Sequence, residues 1–587
     1  MNSMQPWRLP GRLVTKSKSR VLGRGRSLSS MAPRSEQHAQ KIAVVGGGIT
    51  GLTAAYYAGK RYPSASITLF ESSLRLGGCI ESTYVPIGKD TAIVCERGPR
   101  TLRANAPRAP ATYDLIDALG LRDTLISVPK HCPTAGRRYI LYPDHLVSIP
   151  AFNPAPICRH IASIPAPSIP RAQQLLRVLY VLTTEPLFAG LLKHLLRSAF
   201  FSEGRPTGIQ DESMGGFLAR YFGHHLVDNI ASAIMNGLCA GDVYRLSAKA
   251  LLPGLWELEE KFEEEKKRGR GGLLRGDGLP LVVGYQQREN DLLAKLRRGP
   301  AGEIETSLKD TSVFSFKKGL QELPSALEAA LARMENVHLH TGTSVERISS
   351  CDDGLALSIS TQNGTTVQHF THAIAATAYN HIISAADLGS STMATATVML
   401  VTLCFATPFL NHPHQGFGYL IPNSVPARQN PEHALGVVFD TDAMPEQQPF
   451  SLPNLGIHQR QHIHNTKITV VLGGHWWEGL NADTFPNETA GVWMARRLLQ
   501  RHLGITEDPI ASIVTLRKEA IPQYEVGHCE RMVRLHKSLL GRFAGRLRVA
   551  GASYRGIGVH DCVFSAQSLV EGLELEELTG LECFAGN

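Results

Sequence analysis

Three glycines near the start of the chain have the spacing that binds a dinucleotide pyrophosphate. They are Gly46, Gly48 and Gly51 of the 587-residue sequence. In such a turn the first glycine permits a tight bend, the second lets backbone N–H groups approach the phosphates, and the third lets the next helix pack closely on the strand. The helix then presents the positive end of its dipole to the anion. The spacing therefore predicts a nucleotide-binding turn.

The residues around this turn predict the strand and helix that give the spacing its meaning. The apolar run Ile42–Val45 predicts a strand before the turn, and a helical pattern follows Gly51. A second predicted strand, Ile67–Phe70, ends at Glu71, which lies 20 residues after Gly51. An acidic residue at this distance accepts hydrogen bonds from a ribose diol. Glu71 alone does not distinguish NAD from FAD.

A second glycine turn follows Glu71 and carries Arg75, Gly77 and Gly78. This segment resembles the large FAD family that includes amine oxidases and phytoene desaturases. In that family an Arg-x-Gly-Gly turn runs along the pyrophosphate and the ribityl chain. The resemblance therefore favours FAD. It also implies that the backbone of Val345, after a predicted strand at Val337–His340, holds the adenine.

Residues 548–561 near the C-terminus predict a strand, a glycine-rich loop and a helix. In the same family the backbone amides at a position like Gly551 reach the second phosphate. The helix start near Val559 and His560 then faces the N1–C2=O edge of the flavin. The positive end of a helix dipole at this edge stabilises the anionic reduced flavin.

The positive charge of the chain is concentrated in residues 1–40. This segment holds eight basic residues and one acid, so it accounts for +7 of the net +8. Because the rest of the chain is almost neutral, nucleic-acid binding is not predicted. A leader rich in Arg and Ser and poor in acids is typical of a mitochondrial presequence. We expect cleavage between Ser27 and Gln40, and a disordered basic tail is the alternative.

The cysteines and histidines predict no metal site. The ten cysteines contain no C-x-x-C pair and are too sparse for a disulfide scaffold. The close pairs His412 and His414, and His462 and His464, lie in polar, Pro-containing stretches. No run approaches the roughly 20 apolar residues that span a bilayer, which excludes a polytopic membrane protein.

The middle of the chain changes character twice. Residues 175–182 and 187–196 are Leu-rich and predict helices, which either pack in a core or lie in a membrane interface. Residues 257–272 predict a solvated charged helix with a flexible exit. Alternating residues from about 393 to 478, including Ala394–Phe405, predict an antiparallel sheet.

Five motifs resemble the oxygen-using, FAD-dependent protoporphyrinogen oxidase family. The resemblance covers residues 41–575, and longer inserts at 257–310 and 407–466 depart from it. The motifs, with the most specific first, are Ala550–Cys562, Glu96–Arg100, Arg138–Pro143, Gly237–Ser247 and Lys318–Pro324.

The resemblance implies an α/β fold built from three units. These are a discontinuous Rossmann-like FAD-binding domain of the amine oxidase and phytoene desaturase type, a mixed-sheet substrate domain and a helical membrane-associated domain. After the presequence at 1–40, the implied boundaries are 41–128, 317–392 and 537–587 for the FAD-binding domain, 129–150, 246–316 and 393–536 for the substrate domain, and 151–245 for the helical domain.

The implied activity is oxidation of protoporphyrinogen IX to protoporphyrin IX, the penultimate step of haem synthesis. Six electrons leave in three cycles of a non-covalent FAD, and each cycle ends with oxygen and releases hydrogen peroxide. Members of the family sit on one leaflet of the mitochondrial inner membrane, which implies a monotopic contact. A homodimer and transfer of the product to a ferrochelatase are left open.

The resemblance also assigns the substrate contacts. Arg138 pairs with a propionate, for which a planar guanidinium is well suited. Arg100 is the second substrate-side candidate and is expected to order the loop near the flavin. Leu and Phe side chains from the sheet and from the loop Gly237–Gly241 would line an apolar slot. No catalytic acid or base is predicted, because a hydride passes directly to flavin N5.

Two other functions are weighed against this one. The first is another flavin oxidase of the same fold, such as an amine oxidase. However, Cys562 lies outside the Ser-Gly-Gly-Cys setting in which outer-membrane amine oxidases attach their flavin. The second is a flavin-binding scaffold without turnover. Arg138 has its own alternative as a surface arginine in a turn.

Overall fold

A β–α–β unit begins the folded part of the chain in the computed structural model. Strand β1 (Lys41–Val45) pairs in parallel with strand β2 (Ser66–Phe70), and helix α1 (Ile49–Arg61) connects them. The β-branched residues of β1 favour an extended strand. The helix begins directly after the glycine turn. The predicted strands and the helix are therefore confirmed.

The structure describes most of the chain after the leader. The described residues are 40–86, 91–132, 136–149, 180–191, 193–194, 205–206, 208–267, 287–447, 450–451, 465–574 and 578–585. Residues 1–39 of the predicted presequence, most of the first Leu-rich helix, the exit of the charged insert, and the pair His462 and His464 lie outside these ranges.

The remaining described strands are labelled in chain order. They are β3 (Ser82–Pro86), β4 (Thr91–Glu96), β5 (Leu102–Arg103), β6 (Leu125–Pro129), β7 (Tyr139–Leu141), β8 (Leu146–Ser148), β9 (Thr311–Phe316), β10 (Val337–His340), β11 (Ser344–Cys351), β12 (Gly354–Thr361), β13 (Gly364–Phe370), β14 (His372–Ala375), β15 (Thr395–Phe405), β16 (Gly418–Leu420), β17 (Ala434–Phe439), β18 (Phe450–Ser451), β19 (Thr466–Gly473), β20 (Ala511–Pro522) and β21 (Leu547–Val549).

The further helices are labelled in the same way. They are α2 (Ala109–Ala118), α3 (Met214–Phe222), α4 (His224–Leu226), α5 (Ser232–Cys239), α6 (Ala248–Leu251), α7 (Pro253–Lys267), α8 (Gln287–Arg297), α9 (Pro300–Ser307), α10 (Glu322–Leu331), α11 (Tyr379–Ala385), α12 (Asp440–Ala443), α13 (Glu488–Leu503), α14 (His528–Phe543), α15 (Val559–Glu571) and α16 (Glu582–Ala585). A π-helical segment, Val227–Ala231, joins α4 to α5. Short 3-10 turns occur at Arg122–Thr124, Pro186–Phe188, Pro445–Gln447, Gly474–Trp477 and Ala482–Thr484.

The nucleotide-binding sheet is assembled from three distant parts of the chain. Its described strands have the order β10–β2–β1–β14–β21, and every pairing is parallel. Because side chains alternate along a strand, Ile42 and Val44 enter one core with α1 and α15, whereas Ala43 and Val45 enter the core on the other face. Both faces are covered, as parallel sheets require.

A mixed sheet forms the second unit. Its described strands have the order β20–β15–β19–β17–β16–β7–β8, and the pair β16–β7 is the parallel one. The antiparallel sheet predicted within 393–478 is confirmed, and β15 begins one residue after the predicted run at Ala394. One face of this sheet packs against α13.

A helical unit lies between these sheets in the chain, and buried ion pairs hold it together. The Arg205 guanidinium lies 3.3 Å from the ring centroid of Trp256 and pairs with Glu259 at 2.8 Å. Arg220 pairs with the same carboxylate at 2.8 Å. Within the described residues, no helix combines the length and the apolar character that crossing a bilayer requires.

The prediction that a helix begins at Leu187 is wrong. Leu187 and Phe188 belong to a 3-10 turn that opens with Pro186, and Gly190 has φ +79°. Proline fixes a short turn here, and the left-handed glycine interrupts it.

A buried carboxylate joins the hairpin β3–β4 to the loop before α10. Glu96 accepts the Ser82 hydroxyl at 2.7 Å and the Leu320 N–H at 2.8 Å. Burial raises the pKa of Glu96 to about 7, although these bonds and the charges of Lys467 and Arg100 oppose the shift. The folded state therefore binds this proton more tightly than the unfolded state. The stability that this group contributes is complete below about pH 4.5 and is lost as the pH rises through about 7.

We expect Glu96→Gln to raise the free energy of unfolding above pH 7 by up to about 3 kcal/mol and to flatten its pH dependence. The amide can accept from Leu320 and donate to Ser82, so the contacts survive. Denaturant unfolding between pH 4.5 and 8 measures the effect, with the exposed Glu328→Gln as the control. An unchanged pH slope in Glu96→Gln would contradict the assignment.

Candidate functional site

The first glycine turn has two positions where the protein itself requires glycine. Gly46 has φ +107°, a conformation that other residues rarely adopt. A Cβ atom on Gly51 would lie 1.8 Å from the Gly46 carbonyl oxygen. Tight turning and close helix–strand packing therefore explain these two glycines.

Gly48 is different, because nothing in the protein requires glycine there. Its φ of -72° and ψ of 179° suit any residue. A Cβ atom built on Gly48 would meet only the Gly78 Cα at 4.0 Å. The space beside this backbone at the start of α1 is therefore open, as a bound pyrophosphate needs. The residues fit the predicted dinucleotide.

Glu71 connects the end of β2 to this turn. One carboxylate oxygen accepts the Gly47 N–H at 2.6 Å, and the other accepts the Ser73 N–H at 2.8 Å and the Ser73 hydroxyl at 2.7 Å. The side chain is half-buried beside the turn. This is the place where a carboxylate can accept hydrogen bonds from a ribose.

Arg75 braces the second glycine turn from within. Its guanidinium donates to the carbonyls of Leu76 and Ile80 at 2.9 and 3.0 Å, and also to that of Gly78. The turn approaches the first one so closely that a Cβ atom on Gly78 would lie 3.0 Å from the Gly48 Cα. Arg75 therefore shapes the wall of the predicted phosphate site through the backbone.

The C-terminal glycine loop also approaches the start of α1. Gly551 has φ +113°, and a Cβ atom there would lie 3.0 Å from Thr50 Oγ1 in the first turn of α1. Helix α15 begins at Val559, at the end of this loop. The N-termini of α1 and α15 are thus both connected to one cradle, which concentrates unpaired N–H groups there.

His560 contributes its backbone to this cradle, while its imidazole points into the core. Nδ1 lies 2.7 Å from Thr112 Oγ1, and Nε2 lies 3.1 Å from the Arg103 carbonyl oxygen. Burial lowers the pKa of His560 to about 4, so the ring is neutral at physiological pH. The side chain therefore anchors the start of α15.

Val345 lies on β11, and its side chain is buried in the core. Only its backbone is in a position to contact a ligand. The preceding residues pair with the Glu71 loop, because the Thr343 N–H donates to the Glu71 carbonyl at 2.8 Å. The predicted adenine and ribose contacts are therefore neighbours.

Arg138 lies at the start of β7 with no ion pair among the described residues. Its guanidinium lies 5.9 Å from the ring centroid of Phe417. Partial desolvation, and then the positive charge of Arg103, lower the pKa of Arg138. Because the Arg103 carbonyl accepts from His560, this pair of cations lies close to the start of α15. An anion near them would be favoured.

Arg100 has an internal partner. It pairs with Asp440 at 2.7 Å, and the two side chains are only 12% and 10% exposed. The other Asp440 oxygen accepts the Thr469 hydroxyl at 2.6 Å. This arrangement fits the expected role in ordering the loop after β4, and the predicted contact of Arg100 with substrate stays a prediction.

Apolar residues follow Arg138 in the mixed sheet, where Ile140 on β7 lies opposite Leu420 on β16 in one hydrophobic cluster. Leu420 on β16 packs so closely on Gly237 that a Cβ atom there would lie 2.5 Å from the leucine. Next to it, Leu238 on α5 is 49% exposed. The sheet and the segment Gly237–Gly241 are therefore brought together as predicted, but residues 237–239 form the end of α5 and not a loop.

Sequence reasoning missed Phe417, Leu420 and Arg103. Leu and Phe side chains of the sheet were expected at the slot, but the first two residues lie in the stretch 407–466, where the departure from the family pattern left them unidentified. The parallel pairing of β16 with β7 brings these residues next to Arg138. No local sequence pattern reveals that pairing. Arg103 follows the motif Glu96–Arg100 by three residues.

Comparisons with known proteins give one consistent result. The sequence profile of the family described as flavin containing amine oxidoreductase matches residues 49–571. Protoporphyrinogen oxidase of Schizosaccharomyces pombe is 30% identical over 91% of this chain and 98% of its own length. The Homo sapiens protein of that name is 28% identical over 90% and 96%. A crystal structure titled as a putative protoporphyrinogen oxidase from Exiguobacterium superposes with a TM-score of 0.62, at 22% identity over 92% of this chain and 99% of that one.

We expect Gly48→Val to remove the bound flavin while the fold survives. The valine side chain would fill the open space beside Gly48, so flavin affinity should fall by about 100-fold or more. Flavin absorbance of the purified protein and thermal unfolding of the flavin-free form measure the two effects. Gly51→Val is the matched comparison, because its side chain would strike the protein itself and lower stability. Retained yellow colour in Gly48→Val would contradict the site.

Proposed function

Because the chain belongs to the flavin-containing amine oxidoreductase family, we infer that it is the enzyme that oxidises protoporphyrinogen IX to protoporphyrin IX. Its relatives of that name match it almost from end to end. The observation that supports this substrate is the position of Arg138. Its guanidinium lies over the ring of Phe417, and it is affected by the charge of Arg103, whose carbonyl contacts His560 at the start of α15. A cation beside an apolar wall and a flavin-facing helix suits a flat macrocycle with carboxylates on one edge.

We propose non-covalent FAD as the form of the flavin. Gly48, Glu71 and the backbone at Val345 would hold its phosphates, ribose and adenine, while Gly551 would contact the second phosphate. The nearby Cys562 is buried in the core, where burial raises the pKa of its thiol to about 12. A thiol of this kind is a poor nucleophile, which supports a cofactor without a covalent bond to it. When bound, the flavin supplies hydride acceptance and passes the electrons to molecular oxygen.

The chain itself binds and orients the substrate. The Arg138 guanidinium can meet a propionate with two parallel N–H bonds, and Phe417 supports the guanidinium from below. The apolar side chains around Leu420 would exclude water from one face of the macrocycle. The proposal assigns no protein acid or base at the reacting carbon, so catalysis rests on positioning.

The same proposal includes a location. The basic, acid-poor leader supports import into mitochondria. Exposed apolar side chains on the helical unit, namely Ile234 and Leu238 on α5, support a monotopic contact with the inner membrane. A homodimer and delivery of porphyrin to a ferrochelatase stay predictions.

The deciding experiment uses the full chain loaded with FAD. In air, added protoporphyrinogen IX should produce the fluorescence of porphyrin, and hydrogen peroxide should accumulate. Benzylamine is the matched alternative substrate, and its turnover without porphyrin formation would point to an amine oxidase. In anaerobic mixing, the flavin absorbance should bleach on addition of the porphyrinogen. A flavin that stays oxidised would indicate a scaffold without turnover.

We expect Arg138→Ala to raise the KM for protoporphyrinogen about tenfold or more while flavin content stays unchanged, because a charge-assisted carboxylate contact is lost. Arg138→Lys should recover only part of the affinity, since an ammonium lacks the planar fork. Arg137→Ala is the control, because Arg137 is the adjacent arginine and is exposed like Arg138. A larger effect in Arg137→Ala would move the anchor to that residue.

A further inference from the structure

A buried tyrosine supports the glycine-rich loop from Gly551 to Gly558 through two hydrogen bonds. Tyr524 lies just after β20 and is 4% exposed. Its hydroxyl accepts the Gly556 N–H at 2.8 Å and donates to the Ala552 carbonyl at 2.5 Å. One side chain therefore connects two points of the loop that lie four residues apart.

A histidine extends this support to a third point. The His528 ring stacks on the Tyr524 ring, with centroids 4.0 Å apart and planes 16° from parallel. Its Nε2 lies 3.1 Å from the Tyr554 carbonyl oxygen, which makes Nε2 the protonated nitrogen. Burial lowers the pKa of His528 to about 4, so the ring stays neutral. The two side chains thus contact alternate residues of the loop.

The segment that carries this pair is also fixed to the helical unit. The Ser247 N–H donates to the Tyr524 carbonyl at 2.8 Å, and the Gly527 N–H donates to Asp211 Oδ2 at 2.8 Å. The Gln523 amide donates to the Cys239 carbonyl at 2.9 Å. The segment 523–528 is therefore anchored before it reaches the loop.

The loop needs such support at its glycines, although the side chains of Ser553, Tyr554 and Arg555 between them are held by their own contacts. Gly551 and Gly556 have φ +113° and +138°, and glycines carry no side chain that could fix these conformations by packing. A flexible glycine loop loses more conformational freedom when a ligand orders it. External hydrogen bonds that order it beforehand reduce this cost.

We propose that Tyr524 and His528 are positioning residues that set the flavin-facing loop in its binding conformation. The proposal rests on the proposed function in one respect, namely that the ligand is FAD. With the loop fixed, the backbone at Gly551 and the start of α15 keep their positions relative to the start of α1. The pair touches neither reacting atom and acts through the loop.

The test compares two tyrosines in the full chain. Tyr524→Phe removes the hydroxyl and keeps the ring. Tyr57→Phe is the control, because its hydroxyl donates to Asp114 at 2.6 Å from the second half of α1 and makes no hydrogen bond to the loop Gly551–Gly558 among the described residues. Each protein is stripped of flavin, and thermal unfolding and the dissociation constant for added FAD are measured.

Both variants should lose a few degrees of thermal stability. Only Tyr524→Phe should bind FAD about tenfold more weakly, the order expected for a lost hydrogen bond. Its flavin absorption bands should also differ from wild type, while the KM for protoporphyrinogen stays the same. Wild-type FAD affinity and absorption in a folded Tyr524→Phe would overturn the proposal, as would an equal loss of affinity in Tyr57→Phe.

A second pair of variants covers the case in which Tyr524→Phe does not fold. His528→Phe keeps the stacked ring without the donor, whereas His528→Gln keeps a donor without the ring. We expect weaker FAD binding in His528→Phe and partial recovery in His528→Gln, and equal affinities would overturn the proposal. Wild-type protein that binds no FAD would instead refute the proposed function.

Discussion

Three glycine-containing backbone segments meet at the start of α1, and the rest of the molecule is arranged around this approach. The turn Gly46–Gly51, the pair Gly77–Gly78 and the loop Gly551–Gly558 come from opposite ends of the chain. The parallel pairings of β1, β2, β14 and β21 place their carboxyl ends at one edge of the sheet. A glycine contact has little packing energy of its own, so surrounding side chains must hold it. Arg75 does this for the second turn and Tyr524 for the third.

Buried charges supply much of the remaining support. Arg555, in the C-terminal loop, pairs with Glu289 at 2.9 Å, and both side chains are buried. Glu289 belongs to α8, within the charged insert that the sequence left without a function. The insert therefore brings α8 to the FAD-binding domain, where Glu289 supports the C-terminal loop. Removing either partner would leave a buried charge uncompensated, which costs far more than an exposed pair gains.

Local patterns were enough to predict the nucleotide-binding half. The strands at β1, β2 and β10 and the start of α15 agree with the structure within one residue, because glycine spacing and apolar runs are short-range signals. Contacts between distant residues could not be predicted in this way. Arg100 meets Asp440 across 340 positions, and the ring of His560 turns toward Thr112. The surface around Phe417 depends on strand pairing across a similar distance.

The proximity of Arg103 to Arg138 has a further consequence for recognition. Two like charges that repel each other, with no ion pair on either guanidinium among the described residues, make a site whose electrostatic energy depends on how many negative charges bind together. A guest with two carboxylates on one edge neutralises both cations, whereas a monoacid leaves one repulsion uncompensated. The site would then bind tetrapyrroles with two carboxylates on one edge more tightly than those with one. Added salt would weaken this preference, because it screens the charges.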